Sequence, residues 1–128
     1  MRVENTSLIG VKIITPTVYK DDRGYFFESY KKTDFDKHGL PTSFVQDNEA
    51  KSTLGVLRGL HYQLKHPQGK LVRVVSGSIL DVAVDIRQGS PTFGQSEIVP
   101  LTVENRKMLY IPEGFAHGYL VTSDEAIV

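Results

Sequence analysis

The sequence predicts an all-β domain, either a sandwich or a barrel. Runs rich in β-branched and other apolar residues recur at roughly ten-residue spacing from Lys70 to Ile111, with turn residues between them. Only one short stretch has the pattern of a helix. The chain of 128 residues is long enough to bury a core as a single domain without disulfide or metal cross-links.

Residues 1–19 are expected to be extended. A β-branched run at residues 8–14 predicts a strand that Pro16 ends, and residues 20–24 have the composition of a turn. The next predicted strand, residues 25–30, contains three adjacent aromatic residues. Because side chains alternate between the two faces of a strand, at least one ring must face something other than the core, such as another sheet or a partner subunit.

Residues 33–40 form the single predicted helix, capped by Thr33 or Asp34 and ended by Gly39. Its short length and polar composition place it at the rim. Residues 43–49 follow as a predicted strand whose end is densely polar. Such an end is usually a solvated loop, although its amide side chains are also suited to binding a polar ligand.

The most informative stretch is residues 55–63, Gly-Val-Leu-Arg-Gly-Leu-His-Tyr-Gln, which Lys70 follows. In a regular strand, side chains two apart share a face, which predicts one face made of Leu57, Gly59, His61 and Gln63. A histidine with Arg58 and Lys70 nearby is suited to moving protons close to an anion. We therefore expect the rest of the chain to frame this strand.

The second half of the chain is predicted to be entirely β. Residues 64–69 form a hairpin-like turn, and the strands are predicted at residues 70–77, 78–86, 95–103 and 107–111. Residues 112–119 form a glycine-bounded corner that carries His117. Residues 126–128 begin another strand, and because a domain seldom ends there, we expect the sequence to be cut short.

The composition excludes several classes of protein. The chain has 15 basic and 15 acidic residues, so it lacks the basic excess that non-specific nucleic-acid binding requires. It has no cysteine, which excludes disulfides, thiolate catalysis and zinc–sulfur sites. It has neither an apolar run of roughly 18 residues nor a signal-peptide core. We expect a cytoplasmic protein with no nucleic-acid or membrane partner.

A metal site is not expected. The pattern Pro112-x-Gly114-x-x-His117 resembles the second half of the cupin signature, in which paired histidines and a glutamate bind a metal inside a jelly-roll barrel. The first half requires His-x-His, and here it reads His61-Tyr62-Gln63. Two histidines without a carboxylate or thiolate make a poor catalytic metal site. We therefore expect no metal and no other cofactor.

Acid–base chemistry is the better hypothesis. A single histidine in a strand is more often an ordinary polar residue, but polar and charged side chains accompany this one at strand ends and edges: Arg23, Glu28, Gln46, Asn48, Arg58, Lys70 and His117. A histidine can take a proton in acid–base catalysis, and the cations can hold phosphate or a developing oxyanion. The chain has no phosphate-binding glycine loop, no Gly-x-Ser-x-Gly and no dinucleotide fingerprint.

Seven sequence blocks, together covering nearly the whole chain, strongly resemble the dTDP-4-dehydrorhamnose 3,5-epimerase family. In order, they are Asp22-Arg23-Gly24-x-Phe26-x-Glu28, Phe44-Val45-Gln46-Asp47-Asn48, residues 57–63, residues 69–74, residues 81–87, Ser90-Pro91-Thr92-Phe93-Gly94 and residues 111–118. The resemblance implies a metal-free, cupin-type jelly-roll sandwich or barrel with one short peripheral helix. It implies an isomerase of dTDP-L-rhamnose synthesis that acts on dTDP-4-dehydro-6-deoxy-D-glucose.

The resemblance also implies roles for individual residues. His61 matches the base that removes a proton beside the C4 ketone, and Lys70 matches the lysine that stabilises the enolate. The positions that match substrate-binding residues are Arg23, Glu28, Gln46, Asp47, Asn48, Arg58 and His117. Arg23 and Glu28 match residues that hold the nucleotide across a dimer interface. A dTDP-4-dehydro-6-deoxyhexose substrate and a homodimer are therefore implied.

One part of the family pattern is absent. The family's tyrosine acid, and the aspartate that pairs with its catalytic histidine, lie downstream of residue 128, and Tyr119 does not match that tyrosine. We expect residues 1–128 to be a single jelly-roll domain that lacks the family's C-terminal segment. Two other hypotheses stay open: a dTDP-sugar-binding relative without turnover, and an epimerase that inverts only C3 or C5 of another dTDP-ketosugar.

Overall fold

Twelve strands and one short helix form the chain, and a computed structural model describes all residues, Met1–Val128. The helix is α1 (Lys32–Lys37). The strands are β1 (Arg2–Asn5), β2 (Lys12–Thr15), β3 (Val18–Asp21), β4 (Gly24–Phe27), β5 (Lys51–Thr53), β6 (Leu57–His61), β7 (Lys70–Arg73), β8 (Ser78–Asp85), β9 (Ser96–Thr102), β10 (Met108–Ile111), β11 (Phe115–Val121) and β12 (Glu125–Ile127). The predicted all-β class is confirmed.

Two four-stranded antiparallel sheets dominate the fold. Sheet 1 has the strand order β1-β2-β10-β7, and sheet 2 has the order β6-β11-β8-β9. Two smaller pairs, β3–β4 and β5–β12, complete the pairing. The many crossovers between strands distant in the sequence are typical of sandwiches rather than of simple meanders.

The main core lies between the inward faces of the two sheets. In β8, buried and partly buried residues alternate without exception, as expected for a strand with one face on a core. A cluster of 14 buried residues joins this face to sheet 1, with Ile79 and Val121 on one side and Val72 and Leu109 on the other. Face-to-face packing of this kind excludes water from both inward surfaces.

Sheet 1 is also covered on its outer face. Ile14 of β2 and Met108 of β10 are directly paired, and both pack with Phe35 of α1 and with Leu40. The helix is therefore more than the polar rim element that its composition predicts, because Phe35 is only 1% exposed. Burial of a phenylalanine side chain contributes about 1.5–3 kcal/mol.

The helix is shorter than predicted and begins earlier. Lys31 occupies the N-cap position without a side-chain capping bond, so neither Thr33 nor Asp34 caps the helix. Gly39 follows the end of α1 with a φ of +66°, a conformation that favours glycine, and its predicted role as the helix stop is confirmed. The tertiary contacts of Phe35, rather than capping, hold this helix in place.

Two predicted strands differ from the structure. Residues 8–10 form part of a turn in which Thr6 Oγ1 accepts a hydrogen bond from the Leu8 backbone, and β2 begins only at Lys12. Residues 43–49 belong to no strand; the next strand, β5, starts at Lys51. Polar residues in this segment prefer exposure to water over a place in a sheet, consistent with a solvated loop.

The remaining predictions need smaller corrections. The strand predicted over residues 25–30 ends at Phe27, where its pairing with β3 ends. The predicted corner at residues 112–119 is a turn only up to Gly114, and the following residues form the long central strand β11. The strand predicted to begin at residues 126–128 is confirmed, since β12 pairs with β5 and buries Ala126.

Candidate active site

The candidate site lies on the inward face of sheet 2, where β6 pairs with β11. His61 lies opposite His117, and Arg58 lies opposite Tyr119. Residues directly opposite each other in an antiparallel pair point to the same face. His61, His117 and Arg58 therefore share one face.

The face predicted for β6 is wrong in part. Two residues of β6 lie between Arg58 and His61, whereas only one residue of β11 lies between Tyr119 and His117, so the register shifts at this point. A bulge of this kind changes which residues share a face. His61 is consequently grouped with Arg58, and Leu57, which pairs with Leu120, faces the other way.

Glycines allow the two strands to approach at the bulge. Gly59 has a φ of +90°, and a Cβ atom built on it would lie 2.5 Å from the His117 carbonyl oxygen. A Cβ atom on Gly118 would lie 2.5 Å from the Arg58 carbonyl oxygen. Both distances are too short for a side chain, so the backbone approach that groups Arg58 and His61 depends on glycine at these positions.

A buried carboxylate supports His117. Asp81 of β8 is 0% exposed, and its Oδ1 lies 2.7 Å from His117 Nε2. Burial raises the pKa of the Asp81 carboxyl, and the hydrogen bond to His117 opposes that effect. Sequence reasoning missed Asp81, although a carboxylate in the buried register of an apolar strand signals an obligatory partner.

Arg58 is held by a different strand. Its Nε donates a hydrogen bond to Ser52 Oγ over 2.8 Å, and its guanidinium also reaches the Lys51 carbonyl oxygen at 3.4 Å. Ser52 lies in β5 and is 8% exposed, whereas Arg58 is exposed. These two bonds position the Arg58 guanidinium at the β6 edge of sheet 2, and its remaining N–H donors face outward. Ser52 is a second residue that the sequence did not single out.

Lys70 reaches the site region from sheet 1. It opens β7 and lies two residues before Val72, so both side chains point to the inward face of that sheet. Lys70, Gln63 and Phe115 help to line a small cleft of about 150 Å³ between the sheets. The structure therefore brings Lys70 and the His61–His117 pair onto opposed inward faces.

The other predicted site residues lie apart from this face. Arg23 sits in the turn between β3 and β4, where its guanidinium pairs with Asp21 at 2.6 Å. Glu28 lies beyond the same hairpin, 3.8 Å from the Lys31 ammonium. Both ion pairs are exposed, and the hairpin pairs with neither large sheet.

The β3–β4 hairpin has two different faces. Tyr25 and Phe27 stack on one face, where the Arg106 guanidinium lies 3.9 Å from the centre of the Tyr25 ring. Tyr19 and Phe26 are paired on the opposite face, and both are exposed. This confirms that an aromatic residue of the hairpin faces something other than the core.

The amide-rich segment is also exposed. Gln46, Asp47 and Asn48 lie between α1 and β5, outside any strand. Gln46 Nε2 donates a hydrogen bond to Asn48 Oδ1 over 3.0 Å. Their predicted part in ligand binding stays a prediction.

A second buried carboxylate anchors the loop after β8. The Asp85 carboxylate accepts hydrogen bonds from Arg87, Ser90 and Thr92, and the paired guanidinium holds the pKa of Asp85 well below its usual range. The Arg87 guanidinium also lies 4.6 Å from the centre of the Phe115 ring. This cluster fixes the loop and the first residue of β11.

No three His, Asp or Glu side chains come together in an arrangement that holds a metal ion. No helix is long and apolar enough to cross a membrane.

Comparison with known proteins identifies close relatives. A family described as dTDP-4-dehydrorhamnose 3,5-epimerase matches residues 5–128. The chain is 57% identical over 127 residues to the dTDP-4-dehydrorhamnose 3,5-epimerase of Methanothermobacter thermautotrophicus, covering 99% of the chain and 69% of that protein. It is 51% identical to the enzyme of that name from Pseudomonas aeruginosa, covering 98% of the chain and 70% of that protein.

The chain is also similar to a solved structure over nearly its whole length. The crystal structure of dTDP-6-deoxy-D-glucose-3,5-epimerase from Legionella pneumophila, in complex with dTDP-4-keto-L-rhamnose, matches with a TM-score of 0.95 at 50% identity. The match covers 98% of this chain and 68% of that one. This similarity confirms the predicted cupin-type fold.

Proposed function

The chain belongs to the dTDP-4-dehydrorhamnose 3,5-epimerase family, and on this premise we propose that it inverts C3 and C5 of dTDP-4-dehydro-6-deoxy-D-glucose. The reaction moves protons without net oxidation and requires no redox cofactor. The observation that carries the proposal is that His61 lies on the inward face of sheet 2 and Lys70 on the inward face of sheet 1.

The proposed chemistry follows from the C4 ketone of the substrate. The ketone acidifies the hydrogens on C3 and C5, and a base of ordinary strength can remove one when the resulting enolate is stabilised. His61 is the proposed base, because a neutral imidazole has a ring nitrogen that can accept a proton. The Lys70 ammonium is the proposed partner of the enolate oxygen. Return of a proton to the opposite face of the same carbon completes each inversion.

Arg58 and His117 are proposed to bind the substrate beside the base. A guanidinium with free donors is suited to a diphosphate, and Arg58 keeps such donors while Ser52 holds its Nε. His117 shares the face of His61, so a sugar that reaches the base also reaches His117.

The nucleotide end is proposed to contact Arg23, Glu28, Gln46, Asp47 and Asn48. The exposed Tyr19 and Phe26 rings lie beside Arg23 along a cleft of about 510 Å³, a surface suited to a base and a phosphate. We propose that a second copy of the chain completes this site as a homodimer, and that the enzyme works in the cytoplasm.

Proton exchange in heavy water tests the reaction directly. NMR of dTDP-4-dehydro-6-deoxy-D-glucose with the protein should show deuterium entering at both C3 and C5. His61→Asn should abolish this exchange, and the control His38→Gln, at the C-terminal end of α1, should not. Exchange at one carbon alone would identify a mono-epimerase. Binding of dTDP without any exchange would identify a binding protein.

A further inference from the structure

His117 is proposed to bind the substrate, whereas Asp81, to which it is hydrogen-bonded, has no assigned part in the proposed reaction. Asp81 lies in the centre of sheet 2, opposite Tyr119, and its carboxylate is fully buried. The hydrogen bond to His117 is its only side-chain bond, since the second oxygen, Oδ2, is buried without a partner in the chain. A buried carboxylate with one partner constrains that partner strongly.

We propose that Asp81 is a positioning residue that fixes the orientation and tautomer of His117, so that the Nδ1 atom of His117 faces the bound sugar as a hydrogen-bond acceptor. This inference rests on the proposed function for its ligand. Asp81 itself touches no substrate, and it acts through the imidazole.

The tautomer follows from hydrogen-bonding capacity. With Asp81 ionised, its oxygens only accept hydrogen bonds, and the Nε2 atom that lies 2.7 Å from Oδ1 then carries the proton. Nδ1 of a neutral imidazole is then an acceptor. Nδ1 has no partner in the chain and is not among the buried unpaired atoms, so it remains accessible.

The orientation follows from burial. The His117 side chain is 12% exposed, and the ring is packed beside Tyr119 with 6.3 Å between the ring centres. Rotation of the ring away from β8 would leave both Asp81 oxygens buried and unpaired. The imidazole is thereby held beside His61 before any ligand arrives, which lowers the entropic cost of binding the sugar.

The first test observes the imidazole without any ligand. In protein labelled with ¹⁵N-histidine, the hydrogen-bonded Nε2–H of His117 should give a downfield proton signal. Asp81→Asn should remove or shift this signal markedly, and Asp81→Ser serves as a second variant if the first does not fold. The matched control is Asp85→Asn, which alters another fully buried carboxylate of β8 that does not contact a histidine. An unchanged His117 signal in both Asp81 variants would overturn the proposal.

The second test separates positioning from general damage. Affinities are measured for dTDP and for dTDP-xylose, a sugar nucleotide without a ketone. Asp81→Asn should weaken dTDP-xylose binding roughly two- to tenfold, the equivalent of about one hydrogen bond between neutral groups, and change dTDP binding little. His117→Gln should do the same, and the double variant should be no weaker than His117→Gln alone.

The outcomes are distinct. Equal losses for dTDP and dTDP-xylose, or losses that add in the double variant, would show a merely structural role for Asp81 and overturn the inference. If wild-type protein binds neither compound, the proposed function fails. The NMR signal then still decides whether Asp81 orients His117.

Discussion

The Arg58 guanidinium is tied to Ser52: Nε of Arg58 donates to Ser52 Oγ over 2.8 Å, and Ser52 is 8% exposed on β5. The bond crosses from one strand pair to another. It therefore links the orientation of a proposed substrate-binding cation to the small β5–β12 pair.

Ser52→Ala should loosen Arg58 and weaken binding of dTDP. We expect a loss of about fivefold in affinity, because one hydrogen bond contributes about 1 kcal/mol, with a small loss of stability. Calorimetric titration with dTDP measures the effect. Ser43→Ala, at an exposed serine, is the control. An unchanged affinity for Ser52→Ala would mean that Arg58 does not need this bond.

Gly59→Ala should disrupt the alignment of His61 with Arg58. The added methyl group would lie 2.5 Å from the His117 carbonyl oxygen, so the two strands must separate. We expect at least about a hundredfold loss of proton exchange, as misplacement by about 1 Å can cause. Gly89→Ala is the matched control, since Gly89 also has a positive φ, of +78°, but no atom near its Cβ position. Equal effects of the two changes would indicate backbone strain alone.

Phe35→Ala should lower stability without altering the chemistry. Removal of this buried ring leaves a cavity between α1 and the outer face of sheet 1, at a cost of about 3–5 kcal/mol in the free energy of unfolding. Phe44, which is 42% exposed, provides the control Phe44→Ala with an expected cost below about 1 kcal/mol. Urea unfolding measures both. The rate per folded molecule should stay unchanged, because the site lies on the other side of the sheet.

Asp85 should make stability sensitive to acid. Its pKa in the folded state is well below the value of about 3.9 of an unfolded chain. The unfolded state therefore binds the proton first, and the stabilisation is fully present above about pH 4 and is lost progressively as the pH falls below it. In the Asp85→Asn variant, the free energy of unfolding should no longer show this decrease below about pH 4, and its value at pH 7 should be lower than in the wild type. Urea unfolding between pH 2 and 7, chosen to span roughly that window, gives the comparison.

Predictions of secondary structure from the sequence were most accurate where neighbouring residues alone determine the element. The apolar run between two turn signals predicted a strand at residues 78–86, within one residue of the observed end of β8 at Asp85. The prediction failed where distant contacts decide the structure. The face of His61 depends on a bulge against β11, and the helix depends on burial of Phe35 against Met108. Asp81 was missed because its partner lies 36 residues away in the sequence.

The resemblance added what local patterns do not contain. Composition alone left His61 as one polar residue among several, whereas the ordered blocks implied its role and that of Lys70. The structure brings His61, His117, Arg58 and Lys70 to opposed faces, and leaves Arg23, Glu28 and residues 46–48 on separate exposed elements.

Strand β10 has both faces covered. Leu109 and Ile111 belong to the core between the sheets, and Met108 packs with Phe35 and Ile14 on the other side. Residues on either face of β10 therefore cannot change freely during evolution. A change in volume at Met108 must be matched on the helix, and a change at Leu109 must be matched on sheet 2. Among related sequences, Met108 should vary in concert with its partners on the helix, and Leu109 and Ile111 with their partners on sheet 2, so that the helix side can diverge while the face toward the proposed site is preserved.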